Sequence, residues 1–101
     1  MPYAKRGDAA WGADLYLITL RHADVCKVGR AWNPQPRFKQ LARSVPFLEP
    51  EIAAIFPDKG YLEGTVHRML SARRVGPEWF KVSKAKAVEL VTRLVQEAMP
   101  V

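Results

Sequence analysis

The pattern of apolar and polar residues predicts two short strands near the start of the chain. Leu15 to Leu20 is a nearly continuous apolar run that contains Tyr, Ile and Thr, a composition typical of a strand covered on both faces. A polar break at 21–24 separates it from a second strand-like segment, Val25 to Gly29. So short a connection favours an antiparallel hairpin.

Helical spacing of apolar residues predicts three helices further along the chain. The first begins at Asn33-Pro34, a capping side chain followed by Pro at the first helical position, and it ends near residues 44–46. Its apolar stripe consists of Phe38, Leu41, Ala42 and Val45. The second runs from Tyr61 to about Arg73 and stops before a Val-Gly-Pro segment. Ser83 can cap the third, which spans about 84–98.

Two more segments, 51–56 and 78–82, resemble strands, so the predicted order is β-β-α-β-α-β-α. We therefore predict an α/β fold of the α+β type, in which helices flank a small antiparallel sheet. The 101 residues are enough for one domain, which we place at 13–101. Residues 1–12 contain basic residues without periodicity and form a predicted N-terminal arm.

The charge of the chain indicates what kind of partner it has. Sixteen Lys and Arg against ten Asp and Glu give a net charge of +6, which favours a polyanion such as nucleic acid. Cys26 is the single cysteine, which excludes an internal disulfide and a zinc site built on cysteines. No apolar run reaches membrane-spanning length, and the first residues lack the apolar core of a signal peptide. These features predict a cytoplasmic protein that does not contact a membrane.

Tyr16 and Lys27 are the first candidates for chemistry. Tyr16 lies in the middle of the first strand, where most tyrosines are core residues with a hydrogen-bonded hydroxyl. Lys27 interrupts the second strand and therefore needs either solvent or an anionic partner. Gly29 lacks a side chain where a ligand or another backbone can approach.

Arg37, Glu63 and His67 lie on the predicted helices. Arg37 flanks the apolar stripe of the first helix, from where a guanidinium can contact phosphate oxygens in a bidentate manner. Glu63 and His67 are four residues apart and so stand one above the other near the helix–sheet boundary. A carboxylate there can bind magnesium, and the imidazole can hydrogen-bond a phosphate, a water molecule or the carboxylate. The simpler interpretation is a helix-surface contact between Glu63 and His67.

Further basic residues form a candidate nucleic-acid surface. Lys84 and Lys86 fall in the first turn of the last helix, the helix end that attracts phosphate. The full set predicted to bind nucleic acid is Arg30, Arg73, Arg74, Lys81, Lys84 and Lys86. A cluster of solvated charges is the simpler interpretation. We expect the tryptophans to pack in or beside the core and not to stack on bases: Trp11, Trp32 and Trp79.

The order and spacing of these residues resemble the GIY-YIG nuclease superfamily, and most closely its small, often phage-encoded branch. In that branch the second motif is Lys-aliphatic-Gly, as at residues 27–29, and an E-x-x-x-H segment, here 63–67, precedes a Glu-Trp-Phe strand, here 78–80. Leu15-Tyr16 corresponds to the end of the first motif, and the likeness covers roughly residues 13–82. The chain departs from the superfamily at Asp14, where the first motif has Gly, and at Lys27, where the second motif has Tyr.

The resemblance implies a three-stranded antiparallel sheet and hydrolysis of phosphodiester bonds with one divalent ion, Mg²⁺ or Mn²⁺. Glu63 would bind the metal, and Tyr16 would help to deprotonate the attacking water. Lys27 or His67 would transfer a proton or contact the phosphate, and Arg37 would stabilise charge on the phosphoryl oxygens. The implied substrate is DNA, with RNA as the open alternative. The implied location is the host cytoplasm if a phage encodes the chain, and a protein partner can supply specificity.

A different class of function fits the same fold. A catalytically inactive module, binding nucleic acid or a protein partner as a phage-type adaptor or inhibitor, would keep the fold and the basic face. Incubation of the purified protein with magnesium and plasmid, linear or branched DNA distinguishes the two, because only the enzyme cleaves. A purely structural protein accounts poorly for Lys27 in a strand beside Gly29.

The excess of Lys and Arg predicts that nucleic-acid binding weakens steeply as salt is added. Each phosphate contacted on duplex DNA should contribute about −0.9 to the slope of log K against log salt. Fluorescence anisotropy with a labelled duplex measures this slope. An affinity that stays constant from low to high salt would contradict an electrostatic basis for binding.

Overall fold

The computed structural model describes residues 12–98, which form a four-stranded sheet with three α-helices. The strands are β1 (Asp14–Leu20), β2 (Ala23–Ala31), β3 (Pro50–Phe56) and β4 (Trp79–Lys81). The helices are α1 (Pro34–Ser44), α2 (Glu63–Met69) and α3 (Lys84–Ala98). Short 3-10 turns lie at Pro46–Leu48, Gly60–Leu62 and Ser71–Arg73. The predicted α+β fold is confirmed, and the predicted arm lies outside the described residues apart from Gly12.

All strand pairs are antiparallel, and the strand order across the sheet is β3-β1-β2-β4. β1 and β2 form the predicted hairpin around a two-residue connection. The expected number of three strands was wrong, because β4 adds a fourth by pairing with β2, with Phe80 opposite Cys26. The N–H of Val28 also donates to the carbonyl of Glu78 at 3.0 Å, which extends this short pairing by one hydrogen bond.

The two faces of the sheet have different environments. The face that α2 and α3 cover carries the hydrophobic core: Leu15, Leu17, Cys26, Val28, Leu62, Val66, Leu70, Phe80, Val82, Ala87 and Val91. Side chains alternate along each strand, so Tyr16 and Lys27 lie on the opposite face, against which α1 packs. Tyr16 and Ile18 are both nearly inaccessible to solvent. β1 is therefore buried on both faces, as its continuous apolar run predicted.

The ends of α1 agree with the prediction from the sequence. The side-chain oxygen of Asn33 accepts a hydrogen bond from the N–H of Gln35 at 3.2 Å, and Pro34 occupies the first helical position. The helix ends at Ser44, where the N–H of Val45 donates to the carbonyl of Leu41. Among the helices between residues 12 and 98, none has the length and hydropathy needed to cross a bilayer.

The second helix is shorter than the predicted span from 61 to 73. Only the seven residues Glu63–Met69 are α-helical, and 3-10 turns flank them on both sides. The helix ends at Leu70, whose N–H still donates to the carbonyl of Val66 at 3.0 Å, before the next turn tightens. Apolar spacing continues through both turns, which is why the pattern alone overestimated the helix.

Position 29 is Gly because the side chain of Tyr16 packs over it. The sequence had suggested instead that a ligand or another backbone approaches there. Gly29 pairs with Tyr16 across β1 and β2. A Cβ atom at position 29 would lie 2.4 Å from the Tyr16 hydroxyl oxygen and 2.5 Å from its Cζ. The tyrosine ring therefore occupies the volume that any other residue at this position would need.

Gly29→Ala should lower the free energy of unfolding by about 1–3 kcal/mol, because the buried Tyr16 ring has to leave a well-packed position. Gly64→Ala is the matched control. Its added Cβ would meet only Arg68 Nη1 at 3.6 Å, and Ala favours the helix by about 0.5–1 kcal/mol over Gly. Urea denaturation measures both values, and equal effects of the two substitutions would contradict the packing of Tyr16 over Gly29.

Candidate active site

A cleft between α1 and the sheet contains three of the five residues predicted to take part in catalysis. Tyr16, Lys27 and Arg37 line it together with Gln40, Leu41 and Ser44, and its volume is about 240 Å³. We call it the tyrosine cleft. β1 and β2 supply the first two residues from adjacent strands, and α1 supplies the third. The fold thus brings together residues that are up to 21 positions apart in the sequence.

Tyr16 lies at the bottom of the tyrosine cleft with 2% of its surface exposed. A buried hydroxyl ordinarily has a hydrogen-bond partner, and the sequence suggested one for Tyr16 as well. Between residues 12 and 98, however, no protein group forms a hydrogen bond with this hydroxyl. A buried polar atom without a protein partner at a cleft is available to a water molecule or a substrate.

Lys27 has the anionic partner that its position in a strand requires. Its side chain is 18% exposed, and its ammonium group forms an ion pair with the carboxylate of Glu78. The ammonium nitrogen also lies 5.9 Å from the centroid of the Tyr16 ring. Glu78 was part of the Glu-Trp-Phe segment but was not predicted to belong to the site. The signal that identifies it is the uncompensated charge of Lys27, since a half-buried cation requires a carboxylate nearby.

Arg37 is exposed on the fourth residue of α1, facing the opening of the tyrosine cleft. No carboxylate within the described part of the chain forms an ion pair with it. Arg37 also lines a second cleft of about 400 Å³, which we call the tryptophan cleft and whose lining includes Arg30, Trp32, Asn33 and Pro36. The two clefts therefore share this guanidinium group.

Glu63, His67 and Arg30 form a second cluster next to the tryptophan cleft. One carboxylate oxygen of Glu63 lies 3.7 Å from Arg30 Nε, and the other lies 3.9 Å from His67 Nε2. Arg30 and Lys27 extend from opposite faces of β2, since their strand partners are Leu15 and Ile18. Arg30 connects the cluster to Arg37, because both arginines line the tryptophan cleft.

The imidazole of His67 is held in place by the core. Its Nε2–H donates to the carbonyl of Val28 at 2.9 Å, and its ring packs against Phe80 with centroids 5.2 Å apart. This hydrogen bond places a proton on Nε2, so that nitrogen is neither a metal ligand nor a base in this arrangement. His67 connects α2 to the strand that carries Lys27 and Gly29.

The donor set near Glu63 fits a magnesium ion that is held partly by its substrate. In residues 12–98 no three His, Cys, Asp or Glu side chains converge on a common point. Mg²⁺ commonly binds through one or two carboxylates and completes its shell with water and phosphate oxygens. Glu63 provides one such carboxylate, with 18% of its side chain exposed. Within residues 12–98, Glu63 is therefore a candidate for a single protein ligand, with the rest of the shell left to water and substrate.

The basic residues predicted to bind nucleic acid separate into two groups. Lys84 and Lys86 are engaged with carboxylates, Lys84 with Glu51 and Lys86 with Glu89. The hydrogen bond and charge of Lys84 hold the pKa of Glu51 below its usual range. Arg73, Arg74 and Lys81 instead line a surface pocket of about 370 Å³ beside β4. Within this second group, Arg74 lies over the Phe80 ring, 5.0 Å from its centroid, and is thereby held against the sheet.

Two further expectations concern Trp32 and Cys26. Trp32 was expected to pack against the core, but 61% of its surface is exposed, because it follows β2 at the rim of the sheet. Trp79 is half-buried opposite Lys27, as expected, and Trp11 lies outside the described residues. Cys26 is buried, and burial raises the pKa of its thiol to about 12, so it remains an unreactive thiol.

Comparison with known proteins gives one functional association for this arrangement. The T5orf172 domain matches residues 15–95, which extend from the beginning of β1 into α3. This domain is phage-associated and occurs in nuclease-related proteins. No curated protein and no solved structure matches the chain.

Proposed function

Since the chain belongs to the T5orf172 domain family, we propose that it is a metal-dependent nuclease of the GIY-YIG type that hydrolyses phosphodiester bonds in DNA. The observation that carries this proposal is the Tyr16 hydroxyl, which is buried, lacks a protein partner in the described residues and lines a cleft with two cations. A phosphodiester bound there would be in contact with charge-stabilising groups and next to a hydroxyl free to take part in proton transfer.

Arg37 and Lys27 are the groups that bind the phosphate in this mechanism. Arg37 is exposed and can offer two parallel N–H groups to phosphate oxygens. Lys27 is already fixed by Glu78, so its charge requires no reorganisation when the reaction begins. Hydrolysis moves negative charge onto the phosphoryl oxygens and the leaving oxygen, and fixed cations stabilise that charge most effectively where water is largely excluded.

Tyr16 takes part in activating the attacking water. The water must lose a proton as its oxygen bonds to phosphorus, and the leaving oxygen must gain one. The Tyr16 hydroxyl is the candidate relay, because no protein group among residues 12–98 occupies it: its oxygen accepts the proton of the attacking water while its own O–H proton passes to solvent in the cleft, and solvent supplies the proton that the leaving oxygen gains. His67 is a positioning residue in this scheme, since its Nε2–H holds α2 and Glu63 against β2.

Glu63 is the residue that would hold the divalent ion, Mg²⁺ or Mn²⁺. Such an ion, when bound, acts as a Lewis acid on a phosphoryl oxygen and favours ionisation of a bound water. Arg30 and His67 flank the Glu63 carboxylate, one beside each oxygen, and Arg30 also lines the tryptophan cleft.

An inactive binding module is the second candidate, and the ion pairs of Glu63 favour it. Both oxygens of this carboxylate already have a neighbour in the chain, Arg30 on one side and His67 on the other. A module that only binds DNA would use Glu63 to fix Arg30 at the surface. The two candidates differ in whether the parent protein cleaves DNA at all, and removal of the Glu63 charge then tests the role of this carboxylate in the enzyme.

Glu63→Gln should abolish magnesium-dependent cleavage of plasmid, linear or branched DNA while leaving the fold intact. The substitution keeps the shape of the side chain and removes its charge, so thermal stability should change by less than about 1 kcal/mol. Glu89→Gln is the matched control, since it removes an equal charge and two ion pairs from an exposed position on α3. If Glu63→Gln cleaves as fast as Glu89→Gln, then Glu63 does not bind the metal.

Tyr16→Phe should lower the cleavage rate by about 10²–10⁴-fold, the usual contribution of a positioned acid or base. Because no protein hydrogen bond to the hydroxyl is lost in the described residues, stability should stay within about 1 kcal/mol of the parent. DNA affinity in calcium or EDTA should match that of the parent, since Arg37 and Lys27 remain. A variant that folds, binds and cleaves at the parental rate would assign Tyr16 to packing alone.

A further inference from the structure

Trp32 presents a large apolar surface at the rim of the sheet. Its exposed fraction of 61% is high for a residue that can bury more surface than almost any other. Gly12 supports one part of the ring, since a Cβ atom added there would lie only 2.5 Å from Trp32 Cζ3. The indole is thus supported by backbone at one point and open over most of its area.

Two cationic groups line the same cleft as this indole. Arg30 and Arg37 line the tryptophan cleft with Trp32, and Arg37 has no ion-pair partner among residues 12–98. The cleft has a volume of about 400 Å³, within the range of small-ligand sites. An exposed aromatic ring that lines one cleft with two guanidinium groups is a combination that binds single-stranded nucleic acid, because the ring stacks on a base and the cations contact phosphates.

We propose that the tryptophan cleft binds an unpaired nucleobase next to the phosphate held by Arg37, so that the substrate is single-stranded or carries a single-stranded branch. The position of this base relative to a scissile bond rests on the proposed function, because Arg37 is shared with the tyrosine cleft. In a paired duplex both faces of each base are covered by its neighbours. Stacking on Trp32 would then require unstacking and unpairing, which costs a few kcal/mol.

Equilibrium binding in EDTA tests this proposal without requiring cleavage. Trp32→Ala should bind a short oligothymidylate roughly 5- to 150-fold more weakly, the range expected for loss of one stacking aromatic. A blunt hairpin duplex should bind the variant and the parent equally. An abasic oligomer of the same length should also bind the variant and the parent with equal affinity, because it keeps the phosphates and has no base. An equal loss on the abasic oligomer, or no loss on oligothymidylate, would overturn the proposal.

Oligouridylate distinguishes the two chemical sources of an unpaired base. Once the loss with oligothymidylate has established a base-stacking site, the oligomer with the larger loss identifies DNA or RNA as the preferred strand. Phe47→Ala is the matched control, since Phe47 is 76% exposed and lies outside both clefts. The affinity of Phe47→Ala for oligothymidylate, oligouridylate, the hairpin duplex and the abasic oligomer should equal that of the parent. A similar loss in Phe47→Ala would show that any exposed aromatic contributes, which also overturns the proposal.

A second readout applies even if Trp32→Ala does not fold. Stacking on a base should quench indole fluorescence in the parent when oligothymidylate binds, but not when the abasic oligomer binds. Trp32→Phe keeps an aromatic ring and should retain most of the affinity while losing this quenching. Persistence of the quenching in Trp32→Phe would assign it to another tryptophan and overturn the proposal.

These measurements can fail independently of the nuclease proposal. If Glu63→Gln still cleaves while Trp32→Ala loses only its single-strand affinity, the base site stands and Glu63 loses its metal role. If Glu63→Gln is inactive and Trp32→Ala binds every probe like the parent, the nuclease stands and the base site is excluded.

Discussion

Tyr16 and Gly29 face each other across the first two strands, and the tyrosine ring fills the space that a side chain at position 29 would need. This contact favours one pairing of β1 with β2. Because side chains alternate with a period of two, a slip by one residue would bring Tyr16 into the core and move Leu15 and Leu17 under α1. The core on one face and the tyrosine cleft on the other therefore depend on the same register.

The candidate site is stabilised by pairs of opposite charges at its borders. Lys27 is paired with Glu78, and Arg30 with Glu63, and each pair joins different segments of the fold. Lys27 is only 18% exposed, so its pairing with Glu78 avoids the cost of a half-buried charge without a partner, whereas Arg30 is 44% exposed and depends less on its carboxylate. Arg37, in contrast, is fully available to an anion, since no carboxylate of residues 12–98 pairs with it. Binding of a phosphate would therefore require no ion pair of Arg37 to be broken.

Local patterns were sufficient to predict most of the fold. The apolar run of β1, the Asn33 cap and the spacing along α1 each involve neighbouring residues, and the structure agrees with all three. α2 was overestimated because 3-10 turns continue its apolar spacing with different hydrogen bonds. The strand-like segment at 78–82 was also predicted locally, but the three-stranded sheet implied by the resemblance left it out of the sheet, which it joins by pairing with β2.

The candidate site was only partly predictable for a similar reason. A charged residue inside an apolar strand, such as Lys27, can be recognised from the sequence alone. Its partner cannot, since Glu78 meets Lys27 through a contact that spans 51 positions of the chain. The exposure of Trp32 was also mispredicted, because an aromatic residue after a strand gives no indication of whether a helix will cover it.

Within residues 12–98, β3 is an edge strand of the sheet: β1 pairs with one side of it, and no further strand pairs with the other. An open edge of seven residues invites a strand from another molecule. Pro50 begins this strand and Pro57 follows it, and neither has an N–H to donate. Between them, Ala53 forms a bulge, because Ala54 pairs with Leu17 while Ile52 pairs with Ile18. The prolines at its two ends and the bulge in its middle therefore disfavour a continuous intermolecular ladder along this edge, the pairing through which sheet proteins aggregate.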